Sequence, residues 1–238
     1  MKTIGLLGGM SWESTVTYYQ LINEGIKARL GGLHSAKIVL CSVDFHEIEE
    51  LQRQGDWDAA GAMLAQAGRS LEAAGADFLV ICTNTMHKVV PAIAAEIAIP
   101  ILHIAAATAA AIQAQGLKTI GLLGTQFTME QAFYKERLTE QHGLQVLVPE
   151  ASDRATIHRI IYDELCLGKI ESSSRDAYLA IIQTLQQQGA EGIIAGCTEI
   201  TLLINQTDLT IPLFDTTALH ATAAVEFALS DIFESPGG

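Results

Sequence analysis

The sequence predicts an α/β protein built from two pseudo-symmetric domains, each a short parallel β-sheet flanked by helices. Short apolar runs alternate with helix-period segments along all 238 residues, the pattern of βα units. The chain also repeats itself. Lys2-Thr3-Ile4-Gly5-Leu6-Leu7-Gly8 returns unchanged 116 residues later, starting at Lys118. Gly75-Ala76-Asp77 followed by Phe78-Leu79-Val80-Ile81-Cys82-Thr83-Asn84-Thr85 is echoed 114 residues later by Gly189-Ala190-Glu191 followed by Gly192-Ile193-Ile194-Ala195-Gly196-Cys197-Thr198-Glu199. Ile99-Pro100 returns as Ile211-Pro212, a shift of 112. Three matches in one order with slowly drifting shifts indicate two equivalent halves. In that register Cys197 stands where Thr83 stands.

Strands are expected over residues 3–7, 37–43, 77–82 and 100–102, then 119–123, 145–148, 192–196 and 212–214. Strands of such a sheet are covered on both faces and should be continuously apolar, as Ile38-Val39-Leu40 and Ile193-Ile194-Ala195 are. The segment 57–74 is alanine-rich with Met63, Leu64, Ala67, Leu71 and Ala74 at helical spacing, and 175–188 is its counterpart. Gly75 and Gly189 read as left-handed helix stops. A last helix over 218–229 has no equivalent at the end of the repeat and is expected to return to the first half, giving a first domain of 1–103 plus 213–238 and a second of 104–212. Disorder is expected only in the tail Ser235-Pro236-Gly237-Gly238.

Composition excludes several function classes. A formal charge of −13 and a pI near 4.8 repel phosphate backbones, so no nucleic-acid partner is expected. The apolar start breaks at Gly8-Gly9, too early for a signal peptide, and no run approaches the roughly 18 residues of a membrane span. Cys41, Cys82, Cys166 and Cys197 are too scattered for a disulfide scaffold or a zinc site. The reducing cytoplasm is the expected compartment.

In an open parallel sheet, residues just beyond the carboxyl ends of the strands line the ligand crevice. Four segments qualify: Gly8-Gly9-Met10-Ser11, Thr83-Asn84-Thr85, Gly124-Thr125-Gln126 and Cys197-Thr198-Glu199. Each is expected to open a helix, whose free N–H groups favour a carboxylate, although plain N-capping accounts for the same residue types. Gly5-Leu6-Leu7-Gly8-Gly9 lacks the full dinucleotide fingerprint, and Asp44 lies too far along to serve as its acidic residue. Cys197 is the strongest chemical candidate. A thiol pKa of about 8.5, lowered at a helix N-terminus, would supply a thiolate base at neutral pH; the alternative is a buried, inert cysteine, which suits Cys41, Cys82 and Cys166. His103 and Asp215 each follow a proline by three residues and are either partners at the domain junction or simple helix caps.

Thr83-Asn84-Thr85 and Gly196-Cys197-Thr198-Glu199, together with Gly8-Gly9-Met10-Ser11, Gly124-Thr125 and Asp215-Thr216-Thr217, resemble the aspartate/glutamate racemase family over nearly the whole chain. The resemblance implies two similar α/β domains with the active site in the interdomain cleft, no pyridoxal phosphate or metal, and inversion at Cα by two opposed cysteines. Cys197 matches the second of these. Thr83 replaces the first. A threonine hydroxyl is a far weaker acid than a thiol, so Cys197 is expected to take the α-proton of one enantiomer, the L form, while Thr83 or a water it orients delivers the replacement. For substrate binding the resemblance points to Met10, Ser11, Asn84, Thr85, Thr125, Thr198 and Glu199. Gln52 or Arg53 in the first half and Lys169 in the second are candidates for the distal carboxylate.

The expected function is therefore cofactor-independent racemisation of L-aspartate or L-glutamate. The partner is a small amino acid with an acidic side chain, and a homodimer is compatible with this reading. Two alternatives remain: a malonate-type decarboxylase with a single cysteine, and a binding or sensor protein derived from a racemase. Exchange of the α-proton with solvent deuterium separates all three.

Overall fold

The computed structural model describes residues 1–233, with side chains described through residue 230; the expectation for the tail at 235–238 lies outside these. In chain order the elements are β1 (Ile4–Gly8), α1 (Trp12–Leu30), β2 (Ile38–Ser42), α2 (Phe45–Gln54), α3 (Trp57–Ala73), β3 (Phe78–Ile81), α4 (Val90–Ala94), β4 (Ile101–Leu102) and α5 (Ile104–Ala114). There follow β5 (Thr119–Gly124), α6 (Gln126–Glu130), α7 (Ala132–Glu136), β6 (Gln145–Leu147), α8 (Ala151–Asp163), α9 (Ser172–Gln187), β7 (Gly192–Gly196), α10 (Ile200–Leu203), β8 (Leu213–Asp215) and α11 (Thr216–Phe233). Every expected strand is present within a residue or two of its expected ends.

The chain forms two compact units, residues 1–103 with 220 onward, and Ile104–Leu219. Each contains a four-stranded parallel sheet. The strand orders, β2-β1-β3-β4 and β6-β5-β7-β8, are the same arrangement written twice. The second boundary falls after Leu219, later than the expected 213, because β8 pairs with β7 as an edge of the second sheet.

In the first unit the period-2 alternation of β1 sorts its side chains. Ile4 and Leu6 join Phe78 and Val80 under Tyr18, Ile22 and Ile26 of α1 and Ala221, Ala224, Val225, Ala228 and Leu229 of α11. Leu7 faces the other way, with Leu79 and Ile81, against Ile48 of α2 and Leu64 and Leu71 of α3. The second unit repeats the scheme. Ile120 and Leu122 pack on α5, while Leu123, Ile193 and Ala195 pack on α8, α9 and α10. The expectation of strands buried on both faces holds for β7, buried throughout, and not for β2, where Leu40 is 47% exposed. β2 is an edge strand, so its apolar run reflects β-propensity more than burial. Gly75 and Gly189 sit at φ +91° and +104°, a region that only glycine enters without strain, which explains why both precede the third strand of their sheet.

One buried polar group in the first unit makes stability depend on pH. His220 of α11 donates from Nε2 to the Leu102 carbonyl at 2.8 Å and accepts the Tyr18 hydroxyl at Nδ1 at 2.9 Å. A carbonyl can only accept, so Nε2 carries the proton of this bond and the neutral ring has Nδ1 as its acceptor. Burial pushes its pKa down to about 4, against a small opposing effect of the carbonyl. The unfolded chain, with a histidine pKa of about 6.5, therefore binds a proton that the folded chain refuses. The stabilisation is complete above pH ~6.5 and is lost as pH falls from there towards 4. Urea unfolding at several pH values should show this loss, with a slope of up to about 1.4 kcal/mol per pH unit from this ring. In His220→Phe, less stable at neutral pH, the decline should be flatter by about one proton; it should not vanish, because burial also lowers His158 and His142. An unchanged slope would show that His220 is not the titrating group.

Candidate functional site

In the first unit, β1 runs into Gly8-Gly9-Met10-Ser11. Gly9 has φ +91°, and a Cβ there would lie 2.2 Å from the Val43 carbonyl oxygen, so only glycine lets the chain turn this close to the end of β2. Its N–H donates to Thr15 Oγ1 at 2.8 Å. Ser11 accepts from the Ser14 N–H at 3.3 Å and caps α1, while Met10 is buried in the core against α2 and α3.

Thr83 lies two residues beyond β3 and is half-buried. Asn84 and Thr85 beside it are buried, and a 3₁₀ turn follows over Thr85–Val89. His87 Nδ1 reaches back to the Thr83 carbonyl oxygen at 2.8 Å. Gln52, 5% exposed, donates from Nε2 to Met86 Sδ at 2.9 Å, which brings α2 onto this segment. Arg53 points to solvent and pairs with Glu50 at 3.7 Å. Of those two candidates, Gln52 alone meets the Thr83 segment. Cys82 is fully buried and burial pushes its thiol pKa up, so it is a core side chain.

In the second unit Cys197 follows β7 directly. Its sulfur donates to Glu199 Oε2 at 3.0 Å, and Glu199 is itself buried. The hydroxyls of Thr198 and Thr217 are 2.9 Å apart, and Thr216 Oγ1 donates to the Ala195 carbonyl at 2.9 Å, so the start of α11 braces the Cys197 turn. Thr125 is buried and caps α6 by accepting from the Thr128 N–H at 3.3 Å. Lys169 is exposed on the turn after Gly168, its N–H donating to the Glu164 carbonyl at 2.9 Å. His103 stacks on His87, ring centres 4.5 Å apart, whereas Asp215 accepts the Thr217 and Ala218 N–H groups and caps α11. Burial raises the Asp215 pKa against those two bonds.

Two expectations are corrected here. Only Ser11 opens a long helix; Thr83-Asn84-Thr85 leads into a 3₁₀ turn, Thr125 into five residues and Cys197-Thr198-Glu199 into four. Helix dipoles therefore cannot supply the anion cradle at all four places, and the capping role fits Ser11 and Thr125. The Cys197 thiol pKa is raised well above its usual value, first by burial and then by the Glu199 charge, rather than lowered. The resting side chain is a neutral thiol aimed at a carboxylate.

The strand registers make Thr83 and Cys197 equivalent. Leu7 of β1 lies opposite Ile81 of β3, and its repeat Leu123 of β5 lies opposite Ala195 of β7. Two residues beyond Ile81 comes Thr83, and two beyond Ala195 comes Cys197. Sequence reasoning missed His87, and it quoted Thr217 within Asp215-Thr216-Thr217 without giving it a role. His87 could have been found from its i+4 spacing to Thr83.

The sequence matches the family described as Asp/Glu/hydantoin racemase over residues 7–224. The broad specificity amino-acid racemase RacX of Bacillus subtilis is 24% identical over 235 residues, spanning 95% of this chain and 98% of that protein. A Yersinia pestis crystal structure, provisionally described as an Asp/Glu racemase, is 60% identical with a TM-score of 0.92, covering 96% of this chain and 100% of that one. An aspartate racemase homologue from Pyrococcus horikoshii is 32% identical with a TM-score of 0.83, covering 96% and 99%.

Proposed function

The chain belongs to the Asp/Glu/hydantoin racemase family and is an isomerase acting on an amino acid, and from that premise we propose that it racemises L-aspartate or L-glutamate without a cofactor, with Cys197 and Thr83 serving opposite faces of Cα. The observation that carries this reading is the equivalence of Thr83 and Cys197 in the registers of two identical sheets. Inversion requires a base on one face and an acid on the other, and a duplicated strand end supplies a matched pair of positions.

The chemistry follows from the groups at hand. The Cys197 thiol passes its proton to Glu199, 3.0 Å away, and the thiolate takes the α-proton of the L enantiomer. Thr83 then delivers its hydroxyl proton to the opposite face and recovers one from water, while Glu199 releases its proton to solvent. Protons balance over the cycle. Asn84, Thr85, Thr125 and Thr198, buried or half-buried beside the two reacting groups, are suited to hold the substrate's α-carboxylate and ammonium groups and to stabilise the carbanion. The test is α-deuterium incorporation from deuterated water into aspartate and glutamate. Exchange without loss of carbon dioxide supports racemisation; decarboxylation of a malonate without exchange favours the decarboxylase, and tight binding with no exchange favours a sensor.

For the distal carboxylate we assign Gln52 over Arg53, because Gln52 is buried against the Thr83 segment and Arg53 is not. Gln52→Ala should raise KM about tenfold or more, the loss expected when a hydrogen bond to a charged group is removed. Arg53→Ala should leave KM within about twofold, since an exposed pair contributes little. The reverse pattern in steady-state kinetics would overturn the assignment.

A further inference from the structure

We propose that His87 is a positioning residue for the Thr83 half of the reaction, holding the peptide that carries Thr83 through its hydrogen bond to the Thr83 carbonyl; this rests on the reading of Thr83 as the proton donor. Because a carbonyl oxygen only accepts, Nδ1 of His87 must carry the proton of the 2.8 Å bond. The backbone N–H of the same residue donates to the Asn84 carbonyl at 3.1 Å. His87 therefore grips two successive carbonyls, and the Thr83–Asn84 peptide cannot rotate without breaking a partly buried hydrogen bond.

The ring is itself held. His87 is 2% exposed and stacks edge-on against His103 and His220, with centroids 4.5 and 5.7 Å away. His220 is locked between the Tyr18 hydroxyl and the Leu102 carbonyl. Three buried imidazoles are costly to desolvate, and an aliphatic side chain would fill the same space without that cost. What an aliphatic side chain could not do is donate to the Thr83 carbonyl. The Cys197 turn is braced differently, by Thr216 and Thr217. Loss of His87 should thus injure the Thr83 half of the reaction more than the Cys197 half, while the substrate contacts of Asn84 on the same peptide are felt by both. A displacement of the Thr83 hydroxyl by about 1 Å would suffice for a loss of up to about a hundredfold.

The experiment compares two reactions of the full-length protein. Racemisation needs both residues. Elimination from L-3-chloroaspartate needs only the base on the Cys197 face: the α-proton is removed, chloride leaves Cβ, and water hydrolyses the resulting enamine to oxaloacetate and ammonium. His87→Leu should lower racemisation kcat about ten- to a hundredfold more than it lowers elimination kcat, with any KM change from the neighbouring Asn84 and Thr85 contacts shared by both reactions. His87→Asn, whose amide can donate from nearly the position of Nδ1, should restore most of the racemisation rate. His87→Ala is the second donor-less variant, should Leu disturb folding.

Equal loss of both reactions, no loss in either, or an Asn variant as poor as Leu would overturn the assignment. So would unfolding of both donor-less variants, which would make His87 a folding residue. A wild-type protein that carries out neither reaction refutes the two-residue reading and the His87 assignment with it, whereas a wild type active in both with no split in His87→Leu refutes the His87 assignment alone.

Discussion

Cys197→Ser should reduce α-deuterium exchange by about 10²–10⁴-fold, the usual cost of losing a general base. The substitution keeps the size of the side chain and its ability to donate to Glu199, so the local bond at 3.0 Å has a replacement and folding should be little affected. What changes is the base. A serine hydroxyl does not yield a usable anion to a carboxylate, whereas a thiol does so at far smaller cost. The measurement is deuterium incorporation from L-aspartate and L-glutamate, with circular dichroism as the control for folding. Retention of more than about a hundredth of the wild-type rate would remove Cys197 from the role of base.

Thr83→Cys should produce the opposite kind of effect, a gain confined to one enantiomer. The two halves are built on the same strand register, yet one ends in a thiol and the other in a hydroxyl. If the hydroxyl is the deficient member, replacing it with a thiol should accelerate proton abstraction from the enantiomer that wild type handles poorly, the D form, and leave exchange from the L form near its wild-type rate. Exchange is the appropriate readout because net racemisation is bound by an equilibrium constant of one, while exchange from each face is not. Equal wild-type exchange from L and D, or a mutant no faster with either, would show that Thr83 is not the weak half of an acid–base pair.

Much of the architecture was legible in the chain because it depends on local, repeated patterns. The repeat of residues 2–8 at 118–124 marks β1 and β5, and glycine at 75 and 189 marks the turn before the third strand of each sheet. The equivalence of the Thr83 and Cys197 positions was readable for the same reason: both follow a strand by a short, countable distance. The helix openings were less readable. Nothing in Cys197-Thr198-Glu199 reveals that only four helical residues follow, because helix length depends on what the segment packs against. Gln52 and Arg53 could not be told apart in the chain. They are adjacent and both polar, and only the rotation of α2 against the Thr83 segment buries one and exposes the other.

The sequence by itself determined the duplication, the parallel strands, and the asymmetry of a thiol in one half against a hydroxyl in the other. All of these are properties of residue identity and order. The tertiary structure decided the electrostatic state of the site. Burial together with the Glu199 carboxylate raises the Cys197 pKa, where the dipole of a long helix would have lowered it. It also decided that His87, 103 and 220, separated in the chain, meet as one buried cluster behind Thr83. A pKa and a hydrogen bond depend on what surrounds a group in space, and dielectric burial and neighbouring charge are set by segments remote in sequence.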